Sequence, residues 1–304
     1  MKRTLAILCT AAALLGACGD DSESGGEAPP TSAPQTGAGN TDSTAGTAEA
    51  IISLSPTATE ILFAIGAGDQ VLAVDDQSDY PPEAPTTDLS GFQPNVEAVA
   101  AYEPDLVVFQ AGTEDVVSGL DALGIETLVQ PAAVTLDDTY DQIAELGMVT
   151  GREDEAAGLV DNMRTSIDEL VAQVPDRPEP PTYYHELDPD LFSVTSQTFI
   201  GGIYDLAGLE NVADAASADA ELPGYPQLSA EYLVESDPDF VFLADTSGGQ
   251  TADSFAARPG FDVLSAVRND RVVELDDDVA SRWGPRVVEL LRRIVEATAT
   301  VPVG

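Results

Sequence analysis

Glu97-Ala98-Val99-Ala100-Ala101-Tyr102-Glu103-Pro104-Asp105-Leu106-Val107-Val108-Phe109 and Glu231-Tyr232-Leu233-Val234-Glu235-Ser236-Asp237-Pro238-Asp239-Phe240-Val241-Phe242-Leu243 follow one plan. In each, a Glu stands seven residues before Pro-Asp, and four apolar residues follow. The first part reads as a short helix, the proline ends it, and the apolar run reads as a buried strand. Segments on either side extend the likeness. Thr59 to Gly66 leads to Val71-Leu72-Ala73-Val74, and Thr198 to Gly208 leads to Asn211-Val212-Ala213-Asp214.

Working outward, Ile51 to Leu54 is a strand broken by Ser55-Pro56-Thr57. A helix follows, with Thr57 or Thr59 as its N-cap, Glu60 in its first turn, and Ile61, Leu62 and Ile65 on its apolar face. Tyr80-Pro81-Pro82 predicts an extended turn. The spacing then predicts a helix over 95–102, a strand over 106–109, a helix over 116–123 and a strand over 126–129. Helical periodicity runs through 136–150 and 153–174, until Pro175, Pro178, Pro180 and Pro181 stop it. Strand-like segments at 183–187, 192–194, 240–243 and 270–275, with helices at 200–206 and 285–299, form the second half. Alternating strands and helices predict α/β architecture. The expectation is two Rossmann-like lobes with mainly parallel sheets, 50–138 and 179–304, joined by one long α-helix within 139–178, with a ligand cleft between the lobes.

The N-terminus reads as an address. Lys2 and Arg3 precede the apolar run Leu5 to Leu15, which is too short to span a bilayer. Leu15-Gly16-Ala17-Cys18 resembles a bacterial lipobox, so residues 1–17 are expected to be a signal peptide, with lipid on Cys18 and an exported, membrane-anchored product. Residues 18–49, rich in Gly, Ser, Thr, Ala, Pro and Asp, read as a disordered tether. Its ~30 residues would reach about 30 Å.

The chain has 304 residues, 12 basic against 54 acidic, and a formal net charge of -42. Lys2 is its only lysine. No clustered Lys and Arg are available to displace counterions, which excludes nucleic acid as a partner and basic attraction to anionic lipid. Composition is otherwise globular, 43% apolar and 22% charged. The acidity fits a salty environment or a specific electrostatic role. Of the two cysteines, Cys9 leaves with the signal and Cys18 is acylated, so no disulfide is expected.

Ser53-Leu54-Ser55-Pro56 with Thr59-Glu60, Ser78-Asp79-Tyr80-Pro81-Pro82, Asn95-Val96-Glu97 with Pro104-Asp105, and Pro226-Gln227-Leu228-Ser229 with Glu231 together carry a resemblance. In this order the chain, over about 51–297, resembles the substrate-binding lipoproteins of ABC importers for cobalamin, ferric siderophores and haem. The resemblance implies a bilobed receptor that works as a monomer, with a metal chelate as cargo, no cofactor of its own, and a dimeric membrane permease as partner. It also implies that Glu97 and Glu231 dock into permease arginines; as residues alone they are equally two solvated carboxylates at helix N-termini. In cobalamin-binding members aromatic side chains from both lobes clamp the corrin. Here Gln77 and Gln110 stand where such members have Tyr and Trp, the aromatic near Gly91 is shifted to Phe92, and Phe192 and Tyr225 keep aromatic character. Thr57 and Tyr80, from the matching segments, join the candidate ligand contacts.

Other candidates come from the residues themselves. Arg282-Trp283-Gly284-Pro285-Arg286 holds the only Trp between two of the few arginines. Guanidinium and indole suit a planar or anionic ligand; the alternative is that Trp283 packs and the arginines pair with Asp276 to Asp278. His185, the only His, is either structural or a ligand to a chelated metal. Enzyme chemistry lacks components, with one His, no mature thiol, no Gly-x-Ser-x-Gly elbow and no phosphate loop. A bare transition-metal site is poorly served by one His. A sensor or adhesion module without transport is the remaining alternative.

Overall fold

The computed structural model describes residues 47–110, 114–219 and 223–299. The signal peptide, Cys18 and nearly all of the tether expected over 1–49 lie outside them.

The first lobe is built from β1 (Ile51–Leu54), α1 (Pro56–Ala64), β2 (Val71–Asp75), β3 (Thr86–Leu89), α2 (Val96–Ala100), β4 (Leu106–Phe109), α3 (Glu114–Asp121) and β5 (Glu126–Val129). All its strand pairs are parallel, in the order β3-β2-β1-β4-β5. Two helices follow, α4 (Leu136–Thr150) and α5 (Glu153–Val171). The second lobe contains β6 (Thr182–Glu186), α6 (Phe199–Leu206), β7 (Glu210–Asn211), α7 (Ala230–Ser236), β8 (Phe240–Leu243), α8 (Ala252–Ala256), α9 (Ser265–Arg268), β9 (Val272–Glu274), α10 (Asp277–Ser281) and α11 (Val287–Thr298). Its sheet, also parallel, has the order β7-β6-β8-β9. Setting β6, β7, β8 and β9 against β1, β2, β4 and β5 reproduces the same order, so the two copies of the opening sequence occupy equivalent places.

The repeated Pro-Asp has a structural reason. Asp105, just before β4, accepts hydrogen bonds from the Glu49 and Ala50 amides at 2.9 and 3.1 Å, where the chain enters β1. Asp239, just before β8, accepts from the Thr182 amide at 3.0 Å at the start of β6. Each Asp ties the start of its own strand to the neighbouring one.

Strand periodicity then sorts the core. Ile51, Leu106 and Val108 face the helices shared by both lobes, while Ile52, Leu54, Val107 and Phe109 face the outer helices of the first lobe. Phe240 and Phe242 face inward, and Val241 and Leu243 outward, in the second. The inward residues of both sheets, with α1, α4, α5, α6 and α11, form one continuous cluster. Each fully buried aliphatic side chain in it contributes roughly 1.5–3 kcal/mol.

The helical stretch between the halves is divided at Gly151, which takes φ 68° and caps α4. The two helices run antiparallel. Arg164 on α5 lies 3.4 Å from Asp137 and 4.4 Å over the Tyr140 ring of α4. Near the turn they touch: a Cβ on Gly147 would sit 2.6 Å from that of Ala156. The 19-residue α5 then leads to the second lobe with Met163, Ile167 and Leu170 buried. Smaller differences have local causes. The α1 cap is Ser55, whose hydroxyl accepts from the Ala58 amide, so Pro56 can occupy the first turn. The strand expected over 192–194 is reduced to a single bridge between Phe192 and Gln227.

Candidate functional site

In open parallel sheets the loops beyond the carboxyl ends of the strands, where chain crossovers diverge, form natural crevices. Here β1 is central, with β2 on one side and β4 on the other. A cavity of about 440 Å³ opens above their carboxyl ends. Leu54 ends β1, Asp75 ends β2 and Gln110 follows β4; with Thr57, Gln77, Gly91 and Phe92 they make the first-lobe wall. Asp278, Ser281, Arg282 and Trp283 of the second lobe make the facing wall. Two further hollows of about 340 and 400 Å³ lie at the opposite ends of the strands, around Phe240 and Val272 and around Leu106 and Glu126.

The facing wall is held by a charge cluster across the lobes. Glu60 of α1 is 3% exposed. Arg282 donates to it at 3.0 Å, and Arg286 donates at 2.6 and 3.0 Å. Arg282 also donates to the Gln77 carbonyl at 2.9 Å and pairs with Asp278 at 2.6 Å and Asp79 at 3.4 Å. The Arg286 guanidinium lies 4.1 Å over the Tyr80 ring. Trp283 donates its indole N–H to Gln142 Oε1 at 3.0 Å, and its carbonyl accepts from Thr139 at 2.9 Å. The arginine–aspartate pairing and the indole packing considered from sequence are therefore both present, and Glu60, 222 residues from Arg282 in the chain, is the partner that sequence distance hid.

Of the residues singled out from sequence, Thr57, Phe92, Gln110, Arg282 and Trp283 share this cavity, as does Gln77. Phe92 is 85% exposed. Tyr80 and Arg286 lie against each other and are not among the described wall residues. Phe192 and Tyr225 are not among the described wall residues. His185, expected to be structural or a metal ligand, is fully buried in β6; its Nδ1 meets the Tyr204 hydroxyl at 2.8 Å, and burial drives its pKa down to about 3. A neutral imidazole sealed in the core does not reach the cavity. Glu97 and Glu231 are exposed in the first turns of α2 and α7, capped by Asn95 and Ser229.

Sequence reasoning missed Asp75. It is 1% exposed, its Oδ1 accepts from the Gln77 amide at 2.9 Å, and its Oδ2 has no partner. Burial pushes its pKa up. The available signal was an acid closing the apolar strand Val71-Leu72-Ala73-Val74. Also missed was a cluster at the carboxyl ends of β6 and β8. Arg258 binds Glu186 with two bonds of 2.6 and 2.7 Å, and beside them Asp245, 8% exposed, has neither carboxylate oxygen partnered. Burial, then the Glu186 charge, push Asp245 up to about 6.

These features agree with the comparisons. Residues 51–279 match the model of the family described as periplasmic binding protein. An uncharacterized ABC transporter substrate-binding lipoprotein of Bacillus subtilis, YvrC, is 30% identical over 256 residues, covering 81% of this chain and 79% of that one. The vitamin B12-binding protein of Vibrio cholerae is 31% identical over 252 residues, covering 81% and 88%. The crystal structure of the periplasmic vitamin B12 binding protein BtuF of Vibrio cholerae superposes with a TM-score of 0.65 at 27% identity, covering 84% and 99%. Its two like lobes, its cavity at the strand ends and these matches establish that the chain belongs to the periplasmic binding protein family.

Proposed function

We propose that this chain is the extracytoplasmic receptor of an ABC importer, capturing a corrinoid-type metal chelate between its lobes and delivering it to a dimeric permease. The observation that carries the choice of ligand is the chemistry of the cavity wall. Gln77, Gln110 and Thr57 offer neutral amide and hydroxyl groups, suited to the amide-bearing rim of a corrin. Arg282 is already engaged by three carboxylates, which leaves little to receive the propionates of haem. No His or Tyr lies among the described wall residues to ligate iron. The relatives named for vitamin B12 point the same way. Phe92 at the mouth would cover one face of the ring.

In this reading no bond is made or broken, no resident cofactor is needed, and the receptor acts as a monomer held to the membrane by lipid on Cys18. Glu97 and Glu231, one on each lobe, dock on permease arginines. Trp283 is the only Trp and stands in the wall, so its fluorescence reports occupancy directly. Titration with cobalamin should quench it with a Kd below about 10 μM, a binding free energy beyond about -7 kcal/mol. Binding of haem or a ferric hydroxamate in its place would overturn the corrinoid assignment, and no binding of any of the three would overturn chelate capture.

A further inference from the structure

Asp75 is the unusual group in the cavity. It closes β2, is nearly fully buried, and uses Oδ1 on the Gln77 amide, while Oδ2 makes no hydrogen bond of ordinary geometry, with Ser78 the other donor near the carboxyl. A buried polar atom without a partner is costly, and a native fold retains one where something else satisfies it. Oδ2 is itself buried, and the backbone of Gly91 is what lies against it on the cavity side. A Cβ at Gly91 would stand 2.9 Å from Oδ2 and 3.0 Å from the Leu54 carbonyl oxygen, so any larger residue there would close the space in front of the carboxylate. Both Asp75 and Gly91 line the cavity.

We propose that Asp75 is a specificity-determining ligand contact, and that its Oδ2 accepts a hydrogen bond from a neutral donor on the chelate, a primary amide N–H. This rests on the corrinoid reading above and adds to it a residue and a sign. The floor of the site requires a donor and rejects an acid. An amide satisfies Oδ2 as it enters. A carboxylate at the same place would meet a like charge in a site of low dielectric, where such repulsion is strong. The upward push of burial on the Asp75 pKa is consistent with a carboxyl awaiting a partner.

The polarity can be inverted. In Asp75→Asn, the side-chain oxygen stays on the Gln77 amide, and the cavity then faces an NH2 donor. The experiment compares wild type, Asp75→Asn and Asp75→Ala by Trp283 fluorescence, using cobalamin and the set of its monocarboxylates, each with one rim amide hydrolysed to acid. Wild type should bind cobalamin more than tenfold tighter than at least one monoacid. Asp75→Asn should lose that preference for the same monoacid, and Asp75→Ala should bind cobalamin about tenfold more weakly. Identical discrimination in wild type and Asp75→Asn would overturn the proposal while leaving the corrinoid reading intact; failure of wild type to bind any corrinoid overturns both. A measurement on the unsubstituted protein guards against a folding defect. With carboxyl-13C aspartate, the infrared difference spectrum on adding cobalamin should show one shifted carboxyl band, and a spectrum without one would also overturn the proposal.

Discussion

At the scale of single residues, the carboxyl groups divide by what surrounds them, and sequence gives little warning of it. Most of the described acids are solvated, but Glu60, Asp75, Glu186 and Asp245 are buried, with three different outcomes. Glu60 and Glu186 are neutralised by arginines. Asp75 is half satisfied, and Asp245 is unsatisfied. Asp245 therefore carries a definite pH signature. Its pKa in the folded protein is about 6, raised from 3.8 by burial and by Glu186. Between those values the folded state holds the proton more tightly than the unfolded chain, so this group's contribution to stability is greatest below pH 3.8 and is lost as pH rises through 6. Asp245→Asn removes the ionised, unpartnered carboxylate and should stabilise the protein at pH 7 by about 1–3 kcal/mol, with little effect at pH 4. Equal shifts of the urea midpoint at both pH values would contradict this. His185 works in the opposite direction: its folded pKa near 3 lies below the ordinary 6.5 of a free imidazole, so its contribution is present above 6.5 and declines as pH falls from there. The measured difference between wild type and Asp245→Asn cancels that background.

At the scale of elements, the segment from Arg282 to Arg286 joins the lobes by charge as α5 joins them by chain. Its two guanidiniums enclose one buried carboxylate, with bonds of 2.6 and 3.0 Å, and Trp283 is fixed between them on α4. Removing one partner from a buried pair leaves the other charge desolvated. Arg286→Ala should cost about 3–5 kcal/mol in urea unfolding; a loss below 1 kcal/mol would mean that Glu60 is compensated without it. How legible these elements were follows from the range of the signal. The strands at 51–54, 106–109 and 240–243 were readable because they are short apolar runs set off by Pro, Ser or Gln, and their residues are buried on both faces of parallel sheets. The break at Gly151 was less readable, because amphipathic periodicity continues on both sides and only the left-handed φ betrays the turn. The site was half readable. Thr57, Gln110, Arg282 and Trp283 lie in motifs with a local pattern, whereas Glu60 with Arg286 and the buried, unpartnered oxygen of Asp75 depend on contacts between residues far apart in the chain. The 192–194 segment was overread: three apolar or small residues at a bend gained one bridge instead of a ladder.

At the scale of the whole molecule, two facts bear on how a receptor of this kind meets a membrane partner. The first is the continuous core shared by both sheets through α1, α4, α5, α6 and α11, reinforced by the Glu60 cluster. The second is the repeat itself, which puts Glu97 and Glu231 in equivalent positions, each exposed in the first turn of a short helix that leads into a central strand. The docking proposed for these two carboxylates rests on their paired geometry, and its test must separate it from the general field of a chain at -42. Glu97→Ala with Glu231→Ala changes the net charge by two, a small fraction of the total, so steering by the overall field is hardly altered. Loss of two charge-assisted contacts of about 1.5–3 kcal/mol each should nevertheless weaken binding to the permease by roughly 100-fold or more, since 1.4 kcal/mol is a factor of ten. Cobalamin affinity should be unchanged, because neither residue lines the cavity. The control removes the same charge elsewhere: Glu153→Ala with Asp154→Ala, exposed at the start of α5, should leave permease binding and uptake at wild-type levels. Equal loss in both double variants would show that net charge, rather than the paired carboxylates, governs the encounter, and no loss in either would remove Glu97 and Glu231 from the docking surface.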